Sequence, residues 1–161
     1  MSARFRSLVM VIVCALLPGT VAAGTRLADE DIQTLASKAL QWAVDGGFAA
    51  VKTLPASEPI NVIDYNLPRV VKLSLGERKV HQASYLVLQG LSDLHGDRFA
   101  FAFDRFVLRG ERAQVSLHLR LIGAKDSTTT PPAEPSAKLE FERHGNGWEL
   151  VTVDTVASHQ E

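Results

Sequence analysis

The spacing of apolar residues changes at Pro59, and this change constrains the fold more than any other feature of the sequence. Before Pro59, apolar residues recur every three or four positions, as on one face of an α-helix: Ile32, Leu35, Ala36, Ala39, Leu40 and Ala43. After Pro59, apolar and polar residues alternate, as in strands with one buried face. The sequence therefore predicts an α+β domain in which a helical segment precedes a sheet.

The helical segment is expected to contain one long and one short helix. Residues 29–45 are predicted to form an amphipathic helix, with Asp29 as its N-cap and with Gly46 and Gly47 at its end. Residues 48–54 are predicted to form a short second helix that stops at Pro55.

The later residues predict five to seven antiparallel strands. Alternation is strictest over residues 112–121, and a Gly-rich hairpin turn over residues 144–147 joins the last two strands. Residues 71–75 also alternate, whereas residues 85–88 are apolar on both faces and favour a central strand. The alternation slips at Asp104 and Arg105, which predicts either a β-bulge or a sheet corner, and a bulge would help the sheet curve around the helix.

The order of these elements resembles the cystatin-like roll, especially its NTF2-like branch. The residues that carry the resemblance are Asp45-Gly46-Gly47-Phe48 after the first helix and Gly145-Asn146-Gly147-Trp148 in the last hairpin. The resemblance implies a curved sheet with a cone-shaped interior. In NTF2-like enzymes an Asp or His base works with a Tyr or Asp acid inside that cone, and the residues of these types here are Asp64, Tyr65, Tyr85, Asp104 and His118.

The first 23 residues are typical of an export signal. Arg4 and Arg6 precede a ten-residue apolar run, and the small residues at positions 21–23 favour cleavage before Gly24. Because a ten-residue helix is only about half as long as the membrane is thick, we expect no stable anchor. The expected product is a single periplasmic or secreted domain, residues 24–161, with a mobile polar loop at residues 123–136. Cleavage also removes Cys14, the one cysteine, and with it any thiol chemistry.

Charge and motifs exclude several classes of function. The 17 basic and 18 acidic residues give a net charge of -1, so nucleic acid is not an expected partner. No phosphate-binding, nucleophile-elbow or zinc motif occurs, and no metal or cofactor is expected.

The candidate binding residues are Arg112, His118, Arg120 and Asp104. The polar side of residues 112–120 either lines an anion-binding pocket on the concave face or forms a solvated outer face opposite Lys138, Glu140 and Glu142. His118 is either a general base or a surface histidine. Asp104 either is aimed into a site by the bulge or faces water.

These features favour a small exported binding domain that binds a small ligand or a protein through its curved sheet. Two alternatives stay open. One is an NTF2-like enzyme that performs proton transfer or hydrolysis with a carboxylate such as Asp104, helped by Tyr or His. The other is a structural or envelope-assembly partner that uses a free strand edge or an apolar patch.

Overall fold

The protein was analysed as a computed structural model, which describes residues 27–123 and 134–156. The described residues form α1 (Asp29–Trp42), a short 3-10 helix (Ala49–Thr53), β1 (Ile60–Ile63), β2 (Val80–Ala83), α2 (Tyr85–His95), β3 (Arg98–Arg109), β4 (Arg112–Ile122), β5 (Ser136–His144) and β6 (Gly147–Val156). The expected export signal and most of the expected mobile loop lie outside the described residues.

The long helix and the short helix confirm the expected helical segment, but Asp29 is not the N-cap. Ala28 occupies that position without a side-chain hydrogen bond, and Asp29, Glu30 and Asp31 fill the first turn of α1. Negative charge there interacts favourably with the helix dipole, which replaces the missing cap. After Trp42, residues Ala43–Gly47 form a wider, π-helical turn. It includes Gly46, whose φ of 121° is accessible mainly to glycine.

The α+β class is confirmed, and the sheet is mixed, curved and unclosed. Its strand order is β2-β1-β3-β4-β5-β6. The expectation of an antiparallel sheet holds from β3 to β6, but β1 is parallel to both of its neighbours. The reason is that α2 carries the chain from β2 across to β3, so that these two strands run in one direction with β1 between them.

The strand predicted at residues 85–88 is wrong, because these residues form the first turn of α2. The hydroxyl of Ser84 caps this helix by accepting a hydrogen bond from the backbone N–H of Val87 at 3.4 Å. Only Leu88 and Ser92 of α2 are buried. A short apolar run cannot by itself distinguish a buried strand from a helix that leaves apolar residues exposed.

The strand predicted at residues 71–75 is also wrong, although Val71, Leu73 and Leu75 are buried as the alternation predicts. The side chain of Gln82 takes the place of a neighbouring strand. Its Oε1 accepts from the N–H of Leu73 at 2.8 Å, and its Nε2 donates to the carbonyl of Val71 at 3.1 Å. The segment therefore buries Val71, Leu73 and Leu75 without belonging to a strand, and its one bridge joins Leu75 to Arg78.

The two faces of the sheet differ in what covers them. The inner face packs against α1 through large apolar residues of β3 to β5, among them Phe101, Phe103, Val115, Leu117, Leu139 and Phe141. The opposite face, the outer face, is covered at one end by α2, where Leu88 packs on Ala100, Ala102 and Ile122. Phe101 and Phe103 are buried in this core, and Phe99 is partly buried and packs against it.

Candidate functional site

The polar side of β4 lies on the outer face, not between the sheet and α1. Ala113, Val115 and Leu117 alternate with it and are buried in the core. Arg112 pairs with Glu142 across the strands, with 3.8 Å between Arg112 Nε and Glu142 Oε1. Of the two expectations for this row, the structure therefore shows the outer face paired with β5 and not the concave anion pocket.

Three of the four candidate residues come together. Asp104, His118 and Arg120 lie near the bulge in β3, whereas Arg112 lies at the other end of β4. Six residues separate Arg112 from His118, which corresponds to about 20 Å along a strand. Arg112 is therefore not part of the same site. We call the group formed by Tyr65, Asp104, His118 and Arg120 the bulge cluster.

The bulge brings a carboxylate to His118. The strand register shifts between Phe103 and Arg105, which leaves Asp104 without a partner residue on β4. Its side chain turns to the outer face, where His118 Nδ1 lies 2.9 Å from both carboxylate oxygens. Only 14% of the His118 side chain is exposed, against 45% for Asp104. The predicted bulge is thus confirmed, and it supplies the carboxylate that no sequence spacing placed near this histidine.

Tyr65, in the turn after β1, approaches the same carboxylate. Ile63 is paired with Ala102, so Tyr65, two residues further on, is level with Asp104. Partial burial first, and then the negative charge of Asp104, raise the pKa of the Tyr65 phenol above its ordinary value. Arg120 opposes this shift, while a hydrogen bond to Asp104 adds to it. The Tyr65 phenol is therefore harder to ionise than an ordinary tyrosine.

The backbone around the bulge is held by Asn66. Its Nδ2 donates to the carbonyl of Phe103 at 2.7 Å and approaches that of Asp104 at 3.2 Å. A bulge interrupts the backbone ladder, and this amide replaces the lost partners. Asn66 thereby fixes the loop after β1, and with it Tyr65, against the part of β3 that carries Asp104.

Arg120 joins the bulge cluster to α2. Its guanidinium carbon lies 5.6 Å from the centroid of the Tyr85 ring, and its Nε lies 3.1 Å from Glu134 Oε1. A planar guanidinium held by one carboxylate and one aromatic ring keeps further N–H groups for another acceptor. The sequence singled out Tyr65 and Tyr85 only as residue types that NTF2-like enzymes use. It did not predict that they lie near Arg120, because that proximity depends on long-range strand pairing.

The exposed side of α2 is unusually apolar. Leu86 is 79% exposed, Leu94 77% and Val87 52%, and Tyr85 at the start of the helix is 41% exposed. We call these four residues the α2 surface. Leu86 and Leu94 are two helical turns apart, so they lie on one side of the helix, and Gly90 lies between them. Isolated exposed leucines are ordinary, but a continuous apolar helix side indicates an interaction site.

Two grooves meet at Tyr65. One, of about 590 Å³, runs past Asp64, Pro68, Gln82 and Ser84 to the start of α2. The other, of about 570 Å³, runs past Leu67, Asp104, Phe106 and Leu108. It follows the part of β3 that extends beyond the four-residue strand β1. Both grooves are open depressions on the surface. The second groove is also lined by Leu27 and Ile32 at the start of α1, so it opens between that end of the helix and β3, and Tyr65 and Asp104 lie along it. The rest of the space between the sheet and α1 is filled by the core.

The described residues show neither a membrane-spanning helix nor a metal site. Within residues 27–123 and 134–156, every helix falls short of the length and hydropathy that a membrane span requires. Within the same two ranges, no three His, Cys, Asp or Glu side chains are grouped so that they would hold a metal ion.

The chain matches no family model, no curated protein and no solved structure at a significant level.

Proposed function

We propose that this protein is an exported, non-enzymatic binding domain that contacts a partner protein through the α2 surface and the bulge cluster beside it. The observation that carries the proposal is the exposure of Leu86 and Leu94 on one side of α2. Exposing two leucines to water is unfavourable, by about 25 cal/mol for each Å² of apolar surface, and a partner that covers them recovers this free energy.

The residues beside α2 suit the same role. Tyrosine and arginine are enriched among the residues that dominate protein interfaces, and Arg120 lies near both Tyr65 and Tyr85 here. Tyr65 is 57% exposed and separates two open grooves, which would receive side chains of the partner. The expected partner surface is apolar at its centre and carries a carboxylate or another acceptor for Arg120.

A photo-crosslinking experiment tests this proposal. A photoreactive phenylalanine analogue is placed at Leu86, at Leu94 or, as a control, at Thr34, which is exposed on α1. In the cells that produce the protein, we expect a discrete adduct from Leu86 and Leu94 and none from Thr34. A second control adds Leu86→Ser to the Leu94 probe, which should remove the adduct without lowering the melting temperature. Equal adducts at all three positions, or none, would contradict the proposal, as would an adduct between two copies of this chain.

Export is a separate part of the proposal and rests on the leader-like first 23 residues. Mass spectrometry of the mature protein should find Gly24 at the N-terminus. Retention of Met1 in the protein recovered from cells would contradict export without affecting the proposed α2 surface.

A second candidate function is hydrolysis or proton transfer with His118 as the base. The observation that favours it is the 2.9 Å distance from His118 Nδ1 to Asp104, an arrangement that orients a histidine for proton transfer at Nε2. The cluster is open to water on the outer face, which suits binding better than chemistry that needs an enclosed site. If this second function holds, a panel of small esters and ketones will show turnover that both His118→Gln and Asp104→Asn abolish while the fold remains intact.

A further inference from the structure

The charges on the outer face are divided between its two halves. Directly opposite residues of neighbouring strands share a face, so one row can be followed across β3, β4, β5 and β6. That row is Arg109, Arg112, Glu142 and Glu149. Its first two members are positive and its last two are negative. The sign of the charge therefore reverses between β4 and β5.

A second row shows a related pattern. Four residues further along β4, the facing residues are Arg105, Ser116, Lys138 and Asp154. The outermost positions again carry a positive charge on β3 and a negative charge on β6. Lys138 is the exception within this pattern, and it lies opposite Asp154 in its own chain.

This arrangement is complementary to itself. Consider two copies whose outer faces meet, related by a two-fold axis that lies between the two sheets, runs parallel to the strands and passes between β4 and β5. This rotation places β4 of one copy opposite β5 of the other, and β3 opposite β6. When two outer faces meet around that axis, Arg109 faces Glu149 of the second copy and Arg112 faces Glu142 of the second copy. In the other row, Arg105 faces Asp154 of the second copy. Such a two-fold contact uses the same patch on both chains, as in most homodimers.

The patch is accessible within the described part of the chain. The side chain of Arg112 is 66% exposed and that of Glu149 73% exposed. Of the two α-helices there, α1 packs on the inner face and α2 covers the end near Ile122, away from the row of Arg109 and Arg112.

We propose that two copies of this protein associate through the outer faces of β3 to β6, with the basic half of each face against the acidic half of the other. The four strands over the five residues from Arg112 to Ser116 cover a patch of about 17 Å by about 19 Å, which is small beside the roughly 800 Å² that each partner buries in a typical stable interface. Because the sheet is also curved, the dimer is weak, reversible and sensitive to salt.

Sedimentation velocity tests the proposal on the wild-type protein. At about 50 mM salt we expect a concentration-dependent dimer at about 100 µM protein, and at about 500 mM salt a monomer, because screening shortens the reach of these charges. A protein that is monomeric under both conditions would overturn the proposal.

Charge reversal locates the interface. The variant Arg109→Glu/Arg112→Glu makes its row wholly acidic, and the variant Glu142→Arg/Glu149→Arg makes it wholly basic. Each variant alone should dimerise at least about tenfold more weakly than the wild type, because like charges then face each other. An equal mixture of the two should form a heterodimer that is tighter than the wild-type dimer.

A matched control and two milder variants keep the test decisive. Lys72→Glu/Lys79→Glu changes the net charge by the same amount in an exposed region before β2 and should leave the dimer unchanged. If the double variants do not fold, Arg109→Glu and Glu149→Arg should each weaken the dimer, and their mixture should recover it. A dimer that survives every reversal, or a mixture that shows no recovery, would place any self-association elsewhere and overturn the proposal.

Discussion

Trp148 on β6 donates its indole N–H to Oδ1 of Asp31 on α1, at 2.8 Å. The other oxygen of the same carboxylate accepts from Arg143 at 2.8 Å, and the Arg143 guanidinium lies 4.4 Å from the centre of the Trp148 ring. One carboxylate in the first turn of α1 thus attaches the helix to the last hairpin of the sheet. This contact fixes how α1 crosses the inner face.

Replacing Asp31 by alanine should destabilise the fold by about 2 kcal/mol. The change removes two hydrogen bonds to a charged group and leaves the Trp148 N–H without its acceptor. Urea unfolding, followed by tryptophan fluorescence, measures the effect. Asp29→Ala is the matched control, because it removes a negative charge from the same turn of the helix. A loss of stability equal to that of Asp29→Ala would show that the helix dipole, and not the tie to β6, accounts for the effect.

The raised pKa of Tyr65 predicts a dependence of stability on alkaline pH. Because folding raises this pKa, the stabilisation is fully present below the unfolded value of about 10 and is lost as the pH rises through the folded value. Tyrosinate absorbance should show a displaced ionisation that Tyr65→Phe removes. Asp104→Asn should bring the ionisation only part of the way back, since burial is the larger cause. An unchanged titration curve in Tyr65→Phe would contradict this assignment.

Two glycines should respond in opposite ways to alanine. A Cβ on Gly90, within α2, would meet nothing within 4 Å, so Gly90→Ala should stabilise the protein by up to about 1 kcal/mol through helix propensity. Gly123 has a φ of 114°, and a Cβ there would collide with the side chain of Ser92. Gly123→Ala should therefore destabilise it by about 2 kcal/mol or more. Thermal unfolding measures both, and changes of the same sign would contradict the prediction.

Gln82 should matter more for stability than an ordinary partly exposed glutamine. Gln82→Ala removes both hydrogen bonds to the segment that contains Val71 and Leu73, at an expected loss of about 2 kcal/mol. Gln89→Ala is the control, since the Gln89 side chain makes its bonds to Tyr85 and Asp93 on the exposed side of α2. Equal unfolding free energies for the two variants would show that the buried segment does not depend on Gln82.

Local patterns predicted the elements whose partners are near in sequence. The stripe on α1, the alternation of β4 and the turn at Gly145 each follow from the period or the backbone preference of a few residues. The bulge at Asp104 was also visible, because it shifts the alternation of β3. These predictions succeeded because the spacing of apolar residues along a helix or strand directly reports which face is buried.

The elements that the sequence did not reveal depend on distant partners. The apolar run at residues 85–88 fits a strand or a helix equally, and the packing of Leu88 against Ala100 and Ala102 decides between them. The parallel pairing of β1 with β3 has no local signal, yet it brings Tyr65 to Asp104. His118 was visible as a candidate, but its carboxylate partner was not.

The short strand β1, between β2 and β3, also implies that two parts of the sheet differ in how readily they open locally. β1 spans only Ile60–Ile63, whereas β3 and β4 are paired along almost their whole lengths. Amide hydrogens of β1 and β2 should therefore exchange with deuterium before those of the β3–β4 hairpin. Tyr65 follows β1 and α2 follows β2, so this side of the proposed protein-binding surface belongs to the less protected part and has room to adapt as a partner docks, whereas Asp104, His118 and Arg120 are held by the more protected hairpin.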